Sequence, residues 1–533
     1  MGTKTAATTR PASTDRNLKG AGGTVGLLSG LVALGAAQLA AGLVGGESSP
    51  MIAVGGAAID LAPSWLKEFA IRTFGTGDKL ALLAGIGVLM GVAAIVVGVI
   101  SVRRPRAGVA GIAVFGAIGT LASVTRPANG LVDALPSLVG TAAGLLAYRW
   151  LRMAAGLSDL RSHGAPEAAP APASPPPPAL DRRRLLRTGV LAAGAEATSG
   201  LIGQYLVRRA DASESRAAVR IPTPVDAAPP PPSGADLHVP GLGPFITPID
   251  RFYRIDTALF VPSVNAEGWS LRVHGMVSRE ITLDYRQLLA RPLMERDVTL
   301  ACVSNEVGGP YIGNARWIGA PLRDLLEEAG VDIGATQLVS RSADGFTAGT
   351  PTAIVMDGRD AMLAVAMNGE PLPLAHGFPV RMVVPGLYGY VSATKWLVDL
   401  ELTTFGAFDP YWIERGWARQ APIKTESRID TPRDGARVRT GEAAVAGVAW
   451  AQHRGIERVE IRIDGGSWAE ADLAQEDTVD TWRQWVYRWN APTGEHTIAV
   501  RATDGTGDVQ SATPVPPFPN GATGDHTIAV HVA

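Results

Sequence analysis

A chain of 533 residues is too long for one domain, and its length suggests three or four units. A net charge of −2, with no basic face and no RNA-binding motif, gives no sign of a nucleic-acid partner. Charged residues make up only 18% of the chain, the first 210 residues read as membrane, and ten of the twelve tryptophans fall after residue 260. A folded, aromatic-rich part must therefore lie in the second half.

Long apolar runs at Thr24–Gly45, Leu80–Val102, Gly108–Val124, Leu131–Leu151 and Leu185–Val207 are each near the roughly 20 residues needed to cross a bilayer. Their glycine and alanine content suits close helix packing in lipid. Met51–Phe74 carries Asp60, Pro63, Lys67, Glu68 and Arg72 and reads as an interfacial or re-entrant element, with a sixth span as the alternative. Arg103, Arg104, Arg106, Arg149, Arg152 and Arg161 fall on one side of a five-span arrangement, which makes that side cytoplasmic and the second half extracytoplasmic. None of the eight histidines lies in a span, so a bis-histidine haem in the bundle is not expected. Nor is there a deep charged pair that would suggest ion transport, and an anchor is the favoured reading.

Ala165–Ala179 is a Pro/Ala segment that cannot bury a core. Asp181-Arg182-Arg183-Arg184-Leu185-Leu186-Arg187 follows it and resembles a twin-arginine export signal, the plain alternative being a positive-inside anchor. Pro222–Pro232 reads as a second tether that frees the domain behind it.

From Gly241 the pattern is α+β. Strands are expected at Trp269–His274, Val298–Val303, Gln337–Ser340, Pro379–Val384 and Trp396–Thr403, and a helix at Leu322–Ala329 closed by Gly330. The only cysteine, Cys302, ends an apolar strand and precedes Ser304, Asn305, Glu306 and two glycines. It is core filler, a reactive thiol, or a ligand to something soft. After about Thr431 the chain becomes alternating strands with turn signals, the pattern of an Ig-like sandwich. Within it Thr493–Val500 and Thr523–Val530 nearly repeat one another.

Several ordered motifs then converge. Thr299–Asn305, Ala315–Leu322, Met367–Pro373, His376–Arg381 and Lys395-Trp396-Leu397 together resemble the molybdenum-binding domain of sulfite oxidases. Val445–Trp450 and Arg458-Val459-Glu460 look like the same family's C-terminal dimerisation domain. The resemblance covers roughly residues 240–533. It implies an N-terminal α-helical membrane bundle, then an α+β sulfite-oxidase-type molybdopterin domain, then an all-β Ig-like sandwich. The expected divisions are 1–160 for the membrane helices, 161–184 for the linker, 185–207 for a fifth span, 208–240 for the tether, 241–408 for the catalytic domain and 409–533 for the sandwich.

By the same resemblance the cofactor is molybdenum–molybdopterin and Cys302 is the metal's ligand, which suits a soft, charge-donating thiolate. His376, Arg381 and Lys395 match contacts to the pterin and its phosphate, where Arg supplies a fork and Lys a point charge. Tyr253 and Asn305 are placed at the cofactor, with Trp317 shaping the pocket or simply packing. Arg254 matches an arginine beside the metal, and Arg454 a second one reaching in from the sandwich. In the segment Asp344–Thr350 the family pattern leads to an expected tyrosine, and Ala348 stands there instead. Its phenol would be missing or supplied by Tyr388 or Tyr390, which puts sulfite as the substrate in doubt.

The resulting expectation is a membrane-anchored, extracytoplasmic oxidoreductase that transfers an oxygen atom on a small oxyanion such as sulfite. Its electrons would pass to a separate cytochrome or quinone-linked carrier, and the sandwich could pair two copies. The alternatives are a reductase of sulfoxide-type substrates with the same cofactor, and a cofactor-free surface-binding protein.

Overall fold

The computed structural model describes residues 12–44, 48–62, 73, 78–125, 131–157, 212–258 and 261–533. The Pro/Ala linker, the arginine-rich stretch 181–187, the fifth apolar run and most of the second half of Met51–Phe74 lie outside them. The chain divides into two units: Met1–Asp211 with Ala258–Phe260, and Ala212–Thr257 with Val261–Ala533.

In the first unit the helices are α1 (Ala12–Val44), α2 (Pro50–Leu61), α3 (Asp78–Ser101), α4 (Pro105–Val124) and α5 (Leu135–Ala154). Four stretches within this set are long and apolar enough to cross a membrane: Asn17–Val44, Ala81–Ser101, Pro105–Val124 and Leu131–Ala154. They coincide with the first four expected runs. Glycine sets their spacing. A Cβ on Gly26 would stand 2.1 Å from the Ala94 carbonyl oxygen, and one on Gly140 would stand 2.6 Å from that of Ala33. The α1–α3 and α1–α5 contacts are thus backbone-close, as small residues at a helix interface allow. Arg152 closes the far end of α5, donating to the carbonyls of Ser101 and Leu157 at 2.6 and 2.7 Å.

The second unit opens on a catalytic-type domain with ten strands: β1 (Ser270–Gly275), β2 (Ile281–Asp284), β3 (Met294–Ala301), β4 (Ile312–Pro321), β5 (Gln337–Ser342), β6 (Thr347–Pro351), β7 (Met362–Met367), β8 (Glu370–Pro371), β9 (Arg381–Val383) and β10 (Leu397–Thr403). One sheet runs β2-β1-β10-β5-β6. The other runs β3-β4-β7-β8, with β9 also paired to β7. Every residue of β7 is buried, which marks it as the centre of its sheet. The expected helix is present as α6 (Leu322–Ala329), and Gly330 ends it at φ 68°, a left-handed position that costs glycine little. The sequence reading missed β4, β6 and β7; β7 is an apolar run without alternation because both its faces are covered, and β4 and β6 mix polar and small residues into largely buried strands.

Nine further strands form the sandwich: β11 (Glu426–Thr431), β12 (Ala436–Val438), β13 (Gly441–Trp450), β14 (Ile456–Ile463), β15 (Ala469–Glu470), β16 (Asp472–Leu473), β17 (Arg483–Ala491), β18 (Gly494–Asp504) and β19 (His526–Val532). Its sheets are β11-β13-β17-β16 and β12-β19-β18-β14-β15. The near-repeat now has a structural account. Its two copies are antiparallel neighbours, β18 on β19, in register with Ile498 opposite Ile528 and both isoleucines in the sandwich core.

Residues 222–232 do not stand free as a tether. Val225 N–H donates to the Leu293 carbonyl at 2.9 Å, Asp226 bridges to Met294 at the start of β3, and Arg296 and Arg316 take Asp226 and the Pro229 carbonyl. Proline lacks a donor, yet an extended proline-rich backbone leaves its carbonyls open, and arginines on the domain surface claim them.

Candidate functional site

Cys302 lies one residue past the end of β3. Its N–H donates to the Tyr311 carbonyl at 2.9 Å, and its own carbonyl accepts from Asn305 N–H at 3.0 Å, so the chain turns tightly towards β4. The Asn305 side chain fastens that turn by accepting from Tyr311 N–H at 2.8 Å. Gly309 is required beside it, since a Cβ there would stand 2.6 Å from Asn305 Oδ1. The thiol opens into a cavity of about 110 Å³. Burial pushes its pKa up, while hydrogen bonds from Ser304 and the charge of Lys395 pull it back.

One wall of this cavity is polar. Arg381, on β9, is 3% exposed. Its Nη1 and Nη2 reach the carbonyls of His376 and Ala393 at 3.2 and 3.3 Å, its guanidinium lies 4.9 Å over the Trp317 ring, and its Nε has no partner. Among the described residues no carboxylate comes within ion-pair distance of it. Burial pulls its pKa down to about 10. His376 stands edge-on to Phe252 at 5.6 Å, with Nδ1 also unpartnered. Burial, with Arg381 and Lys395 adding to it, pulls that imidazole down to about 3, so the ring is neutral. Lys395 meets Asp256 at 3.0 Å and donates to the Ile255 carbonyl at 3.2 Å. Burial lowers it to about 8 in spite of that carboxylate. Asp256 is shared, because Arg254 Nε also reaches it at 2.8 Å.

Phe346, Tyr390, Trp412 and Trp417 add an aromatic part to the lining. Tyr390 is carried on the short helical turn Gly389–Ser392, and its hydroxyl donates to the Ala418 carbonyl at 2.6 Å.

Among the residues singled out from sequence, Tyr253, Cys302, Arg381 and Lys395 line the cavity. His376 stands behind Arg381, Asn305 behind Cys302, and Arg254 beside Asp256. Arg454 is not on the wall. Its guanidinium is committed to Asp504 at 2.8 Å, to the Ile423 carbonyl at 2.9 Å and to Thr425. Ala348 is fully buried opposite Ser340 on β5, and Asp344 and Phe346 are the residues of that segment that reach the cavity. Tyr388 is buried, with its oxygen accepting from Lys424 N–H at 3.4 Å. Sequence reading missed Asp256, Phe346, Trp412 and Trp417, and of the aromatic lining named only Tyr390, as a possible source of the phenol. The density of rings in Phe408–Trp417 was the available signal.

This donor set fits a buried anionic group that also binds a soft metal. Arg381 Nε, His376 Nδ1 and Asn305 Nδ2 are buried donors or acceptors with no hydrogen-bond partner among the described residues. No cluster of three or more His, Cys, Asp or Glu occurs among the described residues. A metal beside Cys302 would need its remaining ligands from a cofactor.

Residues 258–412 match the family model of the oxidoreductase molybdopterin binding domain, and residues 426–500 that of a bacterial Ig domain. Mitochondrial sulfite oxidase of Mus musculus is 31% identical over 342 residues, 55% of this chain and 61% of that protein. Sulfite oxidase of Gallus gallus is 32% identical over 315 residues, 50% of this chain and 68% of that one. The chain belongs to the sulfite oxidase family. Its cofactor is molybdenum–molybdopterin. An inducible NADH nitrate reductase of Glycine max is 33% identical over 187 residues, 30% of this chain and 21% of its own length. The chain spans only about three fifths of the length of the mouse relative. The molybdopterin model ends at Trp412, so Trp417 lies beyond the matched family residues.

Proposed function

We propose that this chain is a membrane-anchored oxidoreductase that holds molybdenum–molybdopterin in the Cys302 cavity and moves an oxygen atom to or from a small sulfur-centred substrate. The observation that carries the reading is Arg381: a buried cation with no carboxylate, an unmet Nε and a thiol in the same cavity. Evolution tolerates such a group where a ligand supplies the missing charge.

Cys302 is the proposed metal ligand. Arg381 and Lys395 bind the cofactor's phosphate and pterin, with His376 presenting a neutral ring nitrogen behind them. Asn305 holds the Cys302 turn in place, and Tyr253, kept protonated by burial, closes the polar wall. When bound, the cofactor supplies a metal centre that exchanges oxygen and cycles by two electrons. Arg254 shares Asp256 with Lys395 and is the proposed arginine for developing negative charge. Arg454 acts as a positioning residue at the junction with the sandwich. The four apolar helices, with the Leu185–Val207 run as a fifth span, serve as the anchor; with that count the arginine distribution supports an extracytoplasmic catalytic part, and electrons pass to a separate carrier.

Purified from a host that makes the pterin, the chain should carry about one molybdenum. Cys302→Ser should abolish turnover and remove one sulfur from the metal's X-ray absorption shell. A wild-type protein without molybdenum, or an unchanged sulfur shell in the variant, would sink the reading.

A further inference from the structure

The helical unit holds a second cavity, of about 210 Å³. Helices α1, α3, α4 and α5 wall it, and Pro50 at the start of α2 closes on one end. It extends along α5 from Ser137 to Tyr148, roughly 16 Å of helix and about half the hydrocarbon thickness of a bilayer. Ten of its twenty-four lining residues are glycine, and these are of two kinds. At Gly98, Gly116 and Gly140 a Cβ would stand within 2.6 Å of a neighbouring helix, so packing requires glycine there. At Gly30 and Gly91 a Cβ would meet nothing closer than 3.5 and 3.9 Å, and at Gly87 nothing within 4 Å. Helix contact does not demand those three. Their missing side chains keep the cavity open.

One end of this cavity is polar. Ser137 is 4% exposed, and its Oγ has no hydrogen-bond partner among the described residues. A Cβ on Gly119 would stand 3.0 Å from that Oγ and 3.3 Å from Pro50 Cβ, so the hydroxyl faces the gap that Gly119 and Pro50 line. The neighbouring polar groups are already used. Ser49 donates to Gln38 Oε1 at 2.9 Å, and Ser48 donates to Asp133. The cavity's other hydroxyls are answered too, Thr141 donating to the Ser137 carbonyl at 2.7 Å and Tyr148 to that of Pro105 at 3.1 Å. An O–H left unmet in apolar surroundings is unfavourable, and an acceptor on a ligand removes that penalty. None of the described lining residues is charged, so an ionic head group would lose its water without gaining a counter-ion.

We propose that the bundle binds one uncharged membrane lipid lengthwise, its apolar chain against Gly30, Gly87 and Gly91 and a carbonyl oxygen of its head accepting from Ser137 Oγ. This rests on the membrane reading of the four helices above and not on the cofactor. Quinones and acylglycerols share that chemistry, a neutral carbonyl head on a long apolar chain. Phospholipids place an ionic phosphate beside their carbonyls and do not. Anchoring alone takes a single span, so the cavity is not explained by it.

The test uses the full-length protein. A carbonate wash of its membranes first checks that the chain is integral, and unwashed holoenzyme is then placed in phosphatidylcholine nanodiscs. Decylubiquinone, dioctanoylglycerol and phosphatidylglycerol are titrated separately, and the lipid retained per chain is counted by mass spectrometry. Expected is about one quinone or acylglycerol per chain, the tighter of the two naming the source, with phosphatidylglycerol about tenfold weaker or more. Ser137→Ala should weaken that Kd about tenfold. Gly91→Leu, which fills the open wall, should abolish retention, and Gly87→Leu serves if that variant does not accumulate. Gly85→Leu, outside the lining and equally free of close neighbours, should change nothing. Molybdenum content should be the same in all of them. Neither neutral probe retained, phosphatidylglycerol retained as tightly, or a Kd indifferent to Ser137→Ala or to the filled wall overturns this inference and leaves the membrane reading standing. Release of the chain by carbonate overturns both.

Discussion

Two arginines in the globular unit meet opposite fates. Arg454 is partly exposed yet fully answered: Asp504, a backbone carbonyl and Thr425 take its donors. Asp504 in turn accepts from Thr425, Thr506 and Asp508. Arg381 is almost completely buried, stacked on Trp317, and reaches only two carbonyls at long range while its Nε goes unmet. A buried polar group is normally satisfied because leaving it unpaired is expensive. The contrast therefore separates structural charge from charge kept for a ligand. It also explains why two arginines that the family resemblance assigns to one site diverge in three dimensions.

The sharpest way to break that distinction is Arg381→Met, which keeps much of the volume and removes the charge. Cofactor-free protein should become more stable by about 1 to 3 kcal/mol, because an uncompensated buried cation is gone. Molybdenum content after purification should collapse. Thermal melts and metal analysis read the two effects, and a variant that loses stability while keeping its metal would make Arg381 a structural cation.

Asp504→Ala should act in the opposite sense, costing about 3 kcal/mol by stranding Arg454. Burial opposes the Asp504 charge, but the bonds from Thr425, Thr506 and Arg454 outweigh it and hold its carboxyl below the usual range. That stabilisation is present above the ordinary aspartate pKa of about 3.9 and is lost as pH falls through and below it. Wild-type and variant denaturation curves should therefore converge in acid, and metal content per folded chain should be unchanged. A gap that persists at the lowest pH would assign the cost to packing instead.

The smallest effect expected is at Glu426, where β11 begins beside the same junction. Burial raises its carboxyl from 4.5 to about 8, against the pull of Lys424. Across that window the folded chain holds a proton that the unfolded chain has released, so stability falls as pH rises through it. Glu426→Gln should raise the melting temperature at pH 9 and change it little at pH 5. Equal shifts at both values would remove Glu426 as the source of the pH dependence.

Much of the polar wall was legible in the sequence because it is local. His376 and Arg381 are five residues apart, Lys395 follows within one short hairpin, and Cys302 stands at a strand end marked by its glycines. Hydrophobic period and turn residues also located β1, α6, β10 and most of the sandwich. Other features depended on distance in space. The aromatic wall gathers residues from 346, 390, 412 and 417, which share no period and no motif. Arg454 could be read as a substrate contact because its partner, Asp504, lies fifty residues away on β18. Ala348 looked like a missing pocket residue because alternation along β6 does not reveal which face meets the cavity. The proline-rich segment looked like a tether because the arginines that hold it, Arg296 and Arg316, lie on β3 and β4.

The loop between β18 and β19, which carries Phe518, also holds the segment that follows β10: Ala418 N–H donates to the Pro519 carbonyl at 3.0 Å. Through Phe518, 5.3 Å from the cavity residue Trp417, that loop touches the cavity's aromatic lining from a domain that holds none of the proposed cofactor contacts. Chemistry and selectivity are, in effect, inherited separately here. Changes in the loop between β18 and β19 can retune what enters while β3, β4 and β9 keep the metal centre as it is.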